Sequence, residues 1–474
     1  MKPYEEFLLN KSQMGGEHGF KPVFMPSFLF DFQEVLVDWA VRRGRAALLE
    51  DCGLGKSPQE LVWAENVVRK TNRPVLLCTP LTVGPQMMKE GEKFGIECER
   101  SRDGKYRSGA RIIITNYERL HYFNPSDFSG FVGDESSIMK NFDGITKAAV
   151  TEFMRTLPYR LLCTATAAPN DYPEFGTTSE ALGELGYMDM LNRFFKRDEK
   201  FCRITGMGGQ GWRFRGHAQR DFWRWICSWA RAIRKPSDLG FDDGKFRLPP
   251  LKMREHIVAA ARSRDGWLFD QPAITLQEQR EERRRTLKER CEMAAQLVAD
   301  TGRPAVSWCH LNAEGDLLAR LIPDSVQVSG SDPDERKEEI FTAFQSGQVR
   351  VVVTKSTIAG WGLNWQHCAH QTFFPSHSFE QWYQSIRRSW RFGQEREVTV
   401  DMIASEGERG VLANLQRKNE AADAVFARLI ELMGNELKIK KNLNKGKAEA
   451  VPLWLLSHRK SQTDTPSTTA IAAR

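Results

Sequence analysis

No run of apolar residues in this 474-residue chain approaches the ~20 that a helix needs to cross a bilayer, which gives a membrane role no support. The sequence also lacks any Cys-x-x-Cys pair. Its nine cysteines (Cys52, Cys78, Cys98, Cys163, Cys202, Cys227, Cys291, Cys309 and Cys368) are odd in number and scattered, a pattern that indicates neither a disulfide framework nor a zinc site. Several sit in apolar runs such as Leu76-Leu77-Cys78 and Leu161-Leu162-Cys163, where a thiol behaves as a small hydrophobe. The opening residues Met1-Lys2-Pro3-Tyr4-Glu5-Glu6 do not form the basic-then-apolar pattern of a secretory leader, so a cytoplasmic protein is expected. No internal repeat is present.

What is there is a globular composition, 41% hydrophobic and 27% charged, in a chain long enough for two or three separate cores. Lysine and arginine exceed aspartate and glutamate by seven and the isoelectric point is near 8.9, a balance that suits a polyanionic partner. Short Val/Ile/Leu-rich runs bounded by turn residues recur at 46–49, 75–78, 112–115, 131–133 and 161–163. They resume at 306–309, 326–328, 349–353 and 371–374. Buried parallel strands read this way, and the series predicts an α/β protein with two parallel sheets separated by an insertion.

The gap at 171–277 differs in composition, with Trp212, Trp223, Trp225, Trp229 and Trp267 interleaved with Arg213, Arg215, Arg220, Arg224, Arg231 and Arg234. Such interleaving fits either a stacking platform for bases or the core of a small helical insertion. A charged helical stretch follows at 276–299. A second helix is signalled by Asp332 as N-cap, Pro333 at its first position, Glu335 closing a capping box, and Ile340, Phe341 and Phe344 along one face. The organisation expected is a first lobe over 1–250, carrying a mostly helical, aromatic and basic insertion at about 171–250. A second lobe over 251–437 and a basic, partly disordered tail over 438–474 complete it.

Two motifs carry chemistry. The first is Leu48-Leu49-Glu50-Asp51-Cys52-Gly53-Leu54-Gly55-Lys56-Ser57, a strand that enters a glycine turn and then a helix. Gly53 and Gly55 let backbone N–H groups point at phosphate oxygens, Lys56 supplies a charge for the terminal phosphates, and the Ser57 hydroxyl is suited to Mg²⁺. The strict phosphate-loop pattern has glycine where this chain has Glu50. The second is Phe131-Val132-Gly133-Asp134-Glu135-Ser136-Ser137, with acidic residues at a strand end. Asp134 is placed for the Mg²⁺ shell and Glu135 for orienting an attacking water.

With these motifs in view, the chain resembles the superfamily-two helicases and, within them, the Swi/Snf-like translocases. Residues 134–141 resemble the family's D-E-x-H box with its trailing Lys140-Asn141, and Ser136-Ser137 stand where a small residue and a histidine are usual. Thr164-Ala165-Thr166, followed by Pro169-Asn170, resembles the segment that couples the nucleotide site to the polymer. Gln33 sits where the family reads adenine, with Phe30 and Phe32 as stacking partners. Ala230-Arg231-Ala232-Ile233-Arg234, followed by Leu248-Pro249-Pro250, resembles the segment that closes the first lobe.

In the second half, Gly330-Ser331, Arg336 and Phe344 resemble the motif that opens the second lobe, and residues 354–364 its polymer-contacting loop. Gln384-Ser385-Ile386-Arg387-Arg388-Ser389-Trp390-Arg391-Phe392-Gly393-Gln394 matches the signature Q-x-x-x-R-x-x-R-x-G-Q, with Arg388 and Arg391 in the arginine-finger positions.

The resemblance implies two RecA-like lobes closing on ATP and Mg²⁺. Catalysis would fall to Lys56, Asp134, Glu135, Arg388 and Arg391, and ATP binding to Gln33, Gly53, Gly55, Lys56, Ser57, Gly362 and Gln394. Mg²⁺ would be held by Ser57 and Asp134. Polymer contacts would come from Thr79, Thr82, Asn116, Lys355, Ser356 and Thr357, and coupling from Thr164 and Thr166. The function expected is a DNA-stimulated ATPase translocating on double-stranded DNA. The alternatives are a strand-separating helicase on DNA or RNA, a nucleic-acid-binding scaffold with a decayed ATPase, and a small-molecule phosphotransferase. DNA is the expected polymer rather than RNA. Size points to a compact monomeric motor of prokaryotic or phage type, directed by a protein partner.

Overall fold

The computed structural model describes residues 16–81, 83–140, 144–166, 172–197, 212–259, 276–360 and 363–445. The first lobe runs α1 (Asp31–Arg43), β1 (Arg45–Glu50), α2 (Lys56–Thr71), β2 (Val75–Thr79), α3 (Gly84–Phe94), β3 (Cys98–Arg100), β4 (Ile112–Asn116), β5 (Gly130–Gly133), α4 (Ile145–Arg155) and β6 (Tyr159–Thr164). It continues through α5 (Phe175–Leu182), α6 (Tyr187–Phe194), β7 (Phe195–Arg197), β8 (Trp212–Phe214) and α7 (Ala218–Trp229) to β9 (Ala230–Ile233). Seven of these strands form one parallel sheet in the order β3-β4-β2-β5-β6-β1-β9. Every residue of β2 and of β4 is buried, because helices cover both faces of a parallel sheet.

The second lobe runs β10 (Leu251–Val258), α8 (Leu276–Arg285), α9 (Leu287–Thr301), β11 (Ala305–Cys309), α10 (Asn312–Leu321), β12 (Ser325–Val328), α11 (Asp334–Gln345), β13 (Val351–Lys355), α12 (Ser356–Ala359), β14 (His370–Phe373), α13 (Phe379–Ile386), β15 (Val398–Ser405) and α14 (Arg409–Lys445). Its six strands are parallel in the order β10-β15-β14-β11-β13-β12. The molecule is therefore α/β, with two RecA-like lobes built on parallel sheets. No helix among the described residues is long and apolar enough to cross a membrane.

Four strands of the two parallel sheets carry no signal as apolar runs. β9 is a four-residue strand interrupted by Arg231, and β10 is a sheet-edge strand whose Lys252, Met253, Arg254 and Glu255 are exposed. β3 has only three half-buried residues, and β15 is broken as an apolar run by Asp401. The stretch read as an insertion therefore contributes a strand to each sheet. Its remaining described helices and strands include α5, α6, α7 and the antiparallel pair β7–β8. Trp223, Trp225 and Trp229 on α7 are 1%, 2% and 0% exposed, which makes them core residues and removes them as a stacking platform. Trp267 lies outside the described residues.

The start of α11 also differs from expectation. The helix begins at Asp334 with Pro333 at its N-cap, and the Asp332 carboxylate accepts a hydrogen bond from Ser329 N–H at 2.7 Å instead of capping the helix. Aspartate competes equally well for a local turn amide, and here the turn holds it. At the other end of the chain, Val425, Phe426, Leu429 and Met433 of α14 pack into the hydrophobic core of the first lobe. The segment that follows the second sheet in sequence thus completes the first lobe's core.

Candidate functional site

β1 ends at Glu50, and the chain turns through Gly53 and Gly55 into α2. Both glycines have positive φ, 91° and 76°, which a side-chain-bearing residue adopts only with strain. Space is as restrictive as conformation. A Cβ at position 53 would lie 2.8 Å from the Phe392 backbone nitrogen of the second lobe, and one at position 55 would lie 2.5 Å from Gln33 Nε2. Gly55 is the N-cap of α2 and offers no capping side chain, so the first N–H groups of the helix remain open to an anion. Lys56 Nζ donates to the carbonyls of Glu50 at 3.0 Å and Asp51 at 3.5 Å. Burial disfavours its ammonium, yet Cys52 and the carboxylates of Glu135, Glu50 and Asp134 outweigh burial and raise its pKa.

Glu50, where the strict pattern has glycine, is fully buried, and Gln59 of α2 donates to its carboxylate at 2.8 Å. Burial pushes the Glu50 carboxyl up to about 7, against the pull of Lys56 and Gln59. Glycine is therefore dispensable at this position because the side chain turns into the lobe, away from the turn.

Asp134 and Glu135 follow β5, two strands from β1 in the sheet with β6 between them. The backbone is fixed by Asp134 N–H donating to Cys78 O at 2.9 Å and the Tyr117 hydroxyl donating to Asp134 O at 2.7 Å. Burial and the adjoining Glu135 push Asp134 up to about 7, against the Lys56 charge. Glu135 has φ of 54°, a left-handed conformation in a non-glycine residue that costs of order 1 kcal/mol and is retained by its surroundings. One carboxylate oxygen, Oε1, collects three donors: Thr164 Oγ1 at 2.8 Å, Ser137 Oγ at 3.3 Å and Gln384 Nε2 of the second lobe at 3.3 Å. Thr164 in turn accepts from Thr166 N–H at 3.0 Å. Ser137 is thus a direct partner of Glu135, and Thr164 and Thr166 form a chain leading to it.

Across the cleft, Arg388 is anchored by Nε to Gln384 O at 2.8 Å and by Nη2 to Gln384 Oε1 at 2.8 Å. Arg391 Nη1 donates to Leu363 O at 3.0 Å. Burial and the neighbouring Arg388 bring Arg391 down to about 10, so it stays charged at neutral pH. Gln33, Gly53, Gly55, Lys56, Ser57, Asp134 and Glu135 from one lobe and Arg388 and Arg391 from the other line a single cavity of about 350 Å³. Ligands of open α/β sheets bind at the carboxyl ends of strands, which is where this cavity lies.

A solved structure matches the chain over most of its length. It is described as the Sulfolobus solfataricus SWI2/SNF2 ATPase core in complex with dsDNA, and it is 16% identical over 87% of this chain and 96% of its own, with a TM-score of 0.40. No family model and no curated protein matches the chain.

Other expected residues fall elsewhere. Gln394 is absent from the cavity lining: its amide donates to the carbonyls of Gln366 at 2.8 Å, Cys368 at 3.1 Å and Ser389 at 3.2 Å, which fixes the turn after the arginines. Thr79 and Asn116 are register partners at the ends of β2 and β4, and both are buried. Lys355 ends β13, and Ser356 and Thr357 open α12. Lys355 and Thr357 line a second cavity of about 740 Å³ with Asn312, Ser331 and Arg336, while Ser356 is buried behind it. Thr82 and Gly362 lie outside the described residues, as do Asn141, Pro169 and Asn170.

Four participants were given no role from sequence: Asp51, Tyr383, Arg387 and Glu60. Asp51 on the glycine turn is ion-paired with Arg387 and accepts from the Tyr383 hydroxyl. Glu60, fully buried on α2, is held well above the ordinary carboxylate range by burial and by Asp134. The signal for Glu60 is its position, an acidic residue on a helix stretch that is buried all round.

Proposed function

We propose that the chain is an ATP-dependent nucleic-acid motor, a DNA-stimulated ATPase that translocates on double-stranded DNA. The observation that carries this reading is the convergence on one interlobe cavity of Lys56, Asp134 and Glu135 from the first lobe with Arg388 and Arg391 from the second.

The residues fit a nucleoside triphosphate with Mg²⁺. The uncapped start of α2 and the Lys56 ammonium suit the phosphates, and Lys56 would exchange its loop carbonyls for phosphate oxygens. Ser57 and Asp134 would hold Mg²⁺, which typically takes only one or two protein oxygens beside phosphates and water. The ion supplies charge neutralisation at the phosphates.

Phosphoryl transfer builds charge on the γ-phosphate oxygens, and arginines from a second lobe stabilise it on the scale of a ~10³ to 10⁵ rate effect. Glu135 orients the attacking water through the oxygen not engaged by Thr164, Ser137 and Gln384. Because Gln384 both contacts Glu135 and anchors Arg388, hydrolysis requires the lobes to be in register. Opening and closing around each ATP would then shift the grip of the Lys355–Thr357 segment on a phosphate backbone relative to the first lobe.

The test is steady-state ATP hydrolysis without polymer and with double-stranded DNA, single-stranded DNA and RNA, at stated salt because phosphate contacts are salt-dependent. Stimulation by duplex DNA above the other polymers is expected. Preference for single strands or RNA would favour a strand-separating helicase, and no hydrolysis with any polymer would defeat the motor reading.

A further inference from the structure

At one edge of the first sheet, β3 ends at Arg100 beside β4, whose last residue, Asn116, is an expected polymer contact. Arg102 lies just beyond, and both arginines meet α11 of the second lobe. Arg100 Nη2 is 3.4 Å from Glu338 Oε1. Arg102 is 3.9 Å from the same oxygen and 3.7 Å from Glu335 Oε1. Arg102 and Glu335 are exposed, while Arg100 and Glu338 are half-buried. Two guanidiniums of one lobe thus face two carboxylates of the other across the cleft, at contacts that no nucleotide or polymer assignment includes.

The setting on both sides of these pairs suits phosphate. Arg100 lies against the start of α3, where a Cβ on Gly84 would come 3.2 Å from its Nε. That helix opens on Val83 with no capping side chain, so the positive end of its dipole adds to the two arginine charges. On α11, Arg336 lies between Glu335 and Glu338 in sequence and lines the cavity of about 740 Å³ with Lys355 and Thr357. The arginines therefore adjoin the expected polymer contacts of the first lobe, and the glutamates those of the second. Carboxylate and phosphate oxygens are interchangeable partners for a guanidinium, whose planar fork of donors matches either.

We infer that Arg100 and Arg102 bind polymer phosphates, and that in the free protein Glu335 and Glu338 occupy them as an acidic latch between the lobes, which the polymer displaces. The inference rests on the nucleic-acid reading proposed above and adds to it two contacts and their internal competitor. Exposed ion pairs are individually weak, so the latch yields to a polyanion that offers several phosphates at once and releases its own counterions on binding. Small anions at ordinary concentrations lack that advantage. Displacement also frees this edge of the second lobe from the first, so that polymer engagement and lobe movement are coupled here.

The experiment measures binding of a labelled DNA duplex to the full chain by fluorescence anisotropy over a series of salt concentrations. Wild type is compared with Arg100→Ala/Arg102→Ala, with Glu335→Gln/Glu338→Gln and with the variant that combines all four changes, each checked for folding by circular dichroism. The control is Glu152→Gln/Glu431→Gln, which neutralises two carboxylates in exposed pairs with Arg155 and Arg428. Glu335→Gln/Glu338→Gln should tighten binding about tenfold, and the control by no more than about twofold. Arg100→Ala/Arg102→Ala should weaken binding and lower the slope of log affinity against log salt by about two. In the combined variant the gain from removing the glutamates should disappear. Equal tightening in the control, a gain that survives loss of the arginines, or an unchanged salt slope in Arg100→Ala/Arg102→Ala would overturn the inference while leaving the motor reading in place. Absence of duplex binding by wild-type protein that hydrolyses ATP would instead remove the duplex-DNA reading and this inference with it.

Discussion

Asp51, on the glycine turn of the first lobe, is ion-paired with Arg387 of the second, the residue immediately before Arg388. The two side chains are 10% and 4% exposed, so the pair is screened little by solvent. The Tyr383 hydroxyl donates to the same carboxylate, and the Arg387 guanidinium lies 4.5 Å from the centroid of the Trp390 ring. One carboxylate on the turn thereby indexes the arginine-bearing segment of the opposite lobe.

Removing one partner of a buried pair leaves the other uncompensated, at ~3–5 kcal/mol. Asp51→Ala and Arg387→Ala should each lower polymer-stimulated kcat by at least about tenfold, since each 1.4 kcal/mol lost from lobe closure is a factor of ten. The exchange Asp51→Arg with Arg387→Asp should recover part of that loss. Steady-state kinetics of the two single variants and the exchange give the coupling, and an exchange no better than either single variant would mean that the pair does not set the arginine position.

For the catalytic assignment, Glu135→Gln should leave ATP bound but unhydrolysed, while Lys56→Ala should weaken nucleotide binding itself. Equilibrium binding measured beside single-turnover hydrolysis separates the two effects. Full turnover by Glu135→Gln would show that another group orients the water.

Thr164 provides the shortest hydrogen bond to Glu135, 2.8 Å against 3.3 Å for Ser137 and for Gln384. Thr164→Val keeps the buried volume and removes the donor. Losing a hydrogen bond to a charged group costs about 1.5–3 kcal/mol, so a fall in kcat of about ten to a hundredfold is expected. KM for ATP should change little, because Thr164 does not line the cavity. A rise in KM without loss of kcat would place Thr164 in nucleotide binding.

The legible part of the fold is the part buried on both faces. β2 and β4 are continuous apolar runs because helices cover both sides, and the glycine turn and acidic pair stand out because each follows such a run. β10 is not legible in this way, since an edge strand with exposed Lys252, Arg254 and Glu255 has the composition of a surface loop. The hidden parts of the site are those made by tertiary proximity. Asp51 and Arg387 each lie inside a motif without a role of their own there, and only the approach of the two lobes joins them. Local pattern also misassigns residues with two uses. Asp332 has the spacing of a helix cap yet holds a turn, and Gln394 lies next to the arginines yet bonds backbone carbonyls.

Glu50 makes the stability of the protein depend on pH in a defined direction. Its folded-state pKa is near 7 against an ordinary value of 4.5, because burial disfavours the carboxylate. The folded state therefore holds this proton more tightly than the unfolded chain. The stabilisation it provides is fully present below about pH 4.5 and is lost as pH rises through about 7. At 1.36 kcal/mol per unit the loss approaches about 3 kcal/mol above pH 7. Glu50→Gln mimics the protonated form and can keep the contact with Gln59, so it should raise the melting temperature markedly at pH 8 and little at pH 5. Thermal unfolding of wild type and variant at both values checks this. An equal shift at the two pH values would mean that Glu50 is ionised throughout, held so by Lys56 only 3.0 Å from its backbone carbonyl.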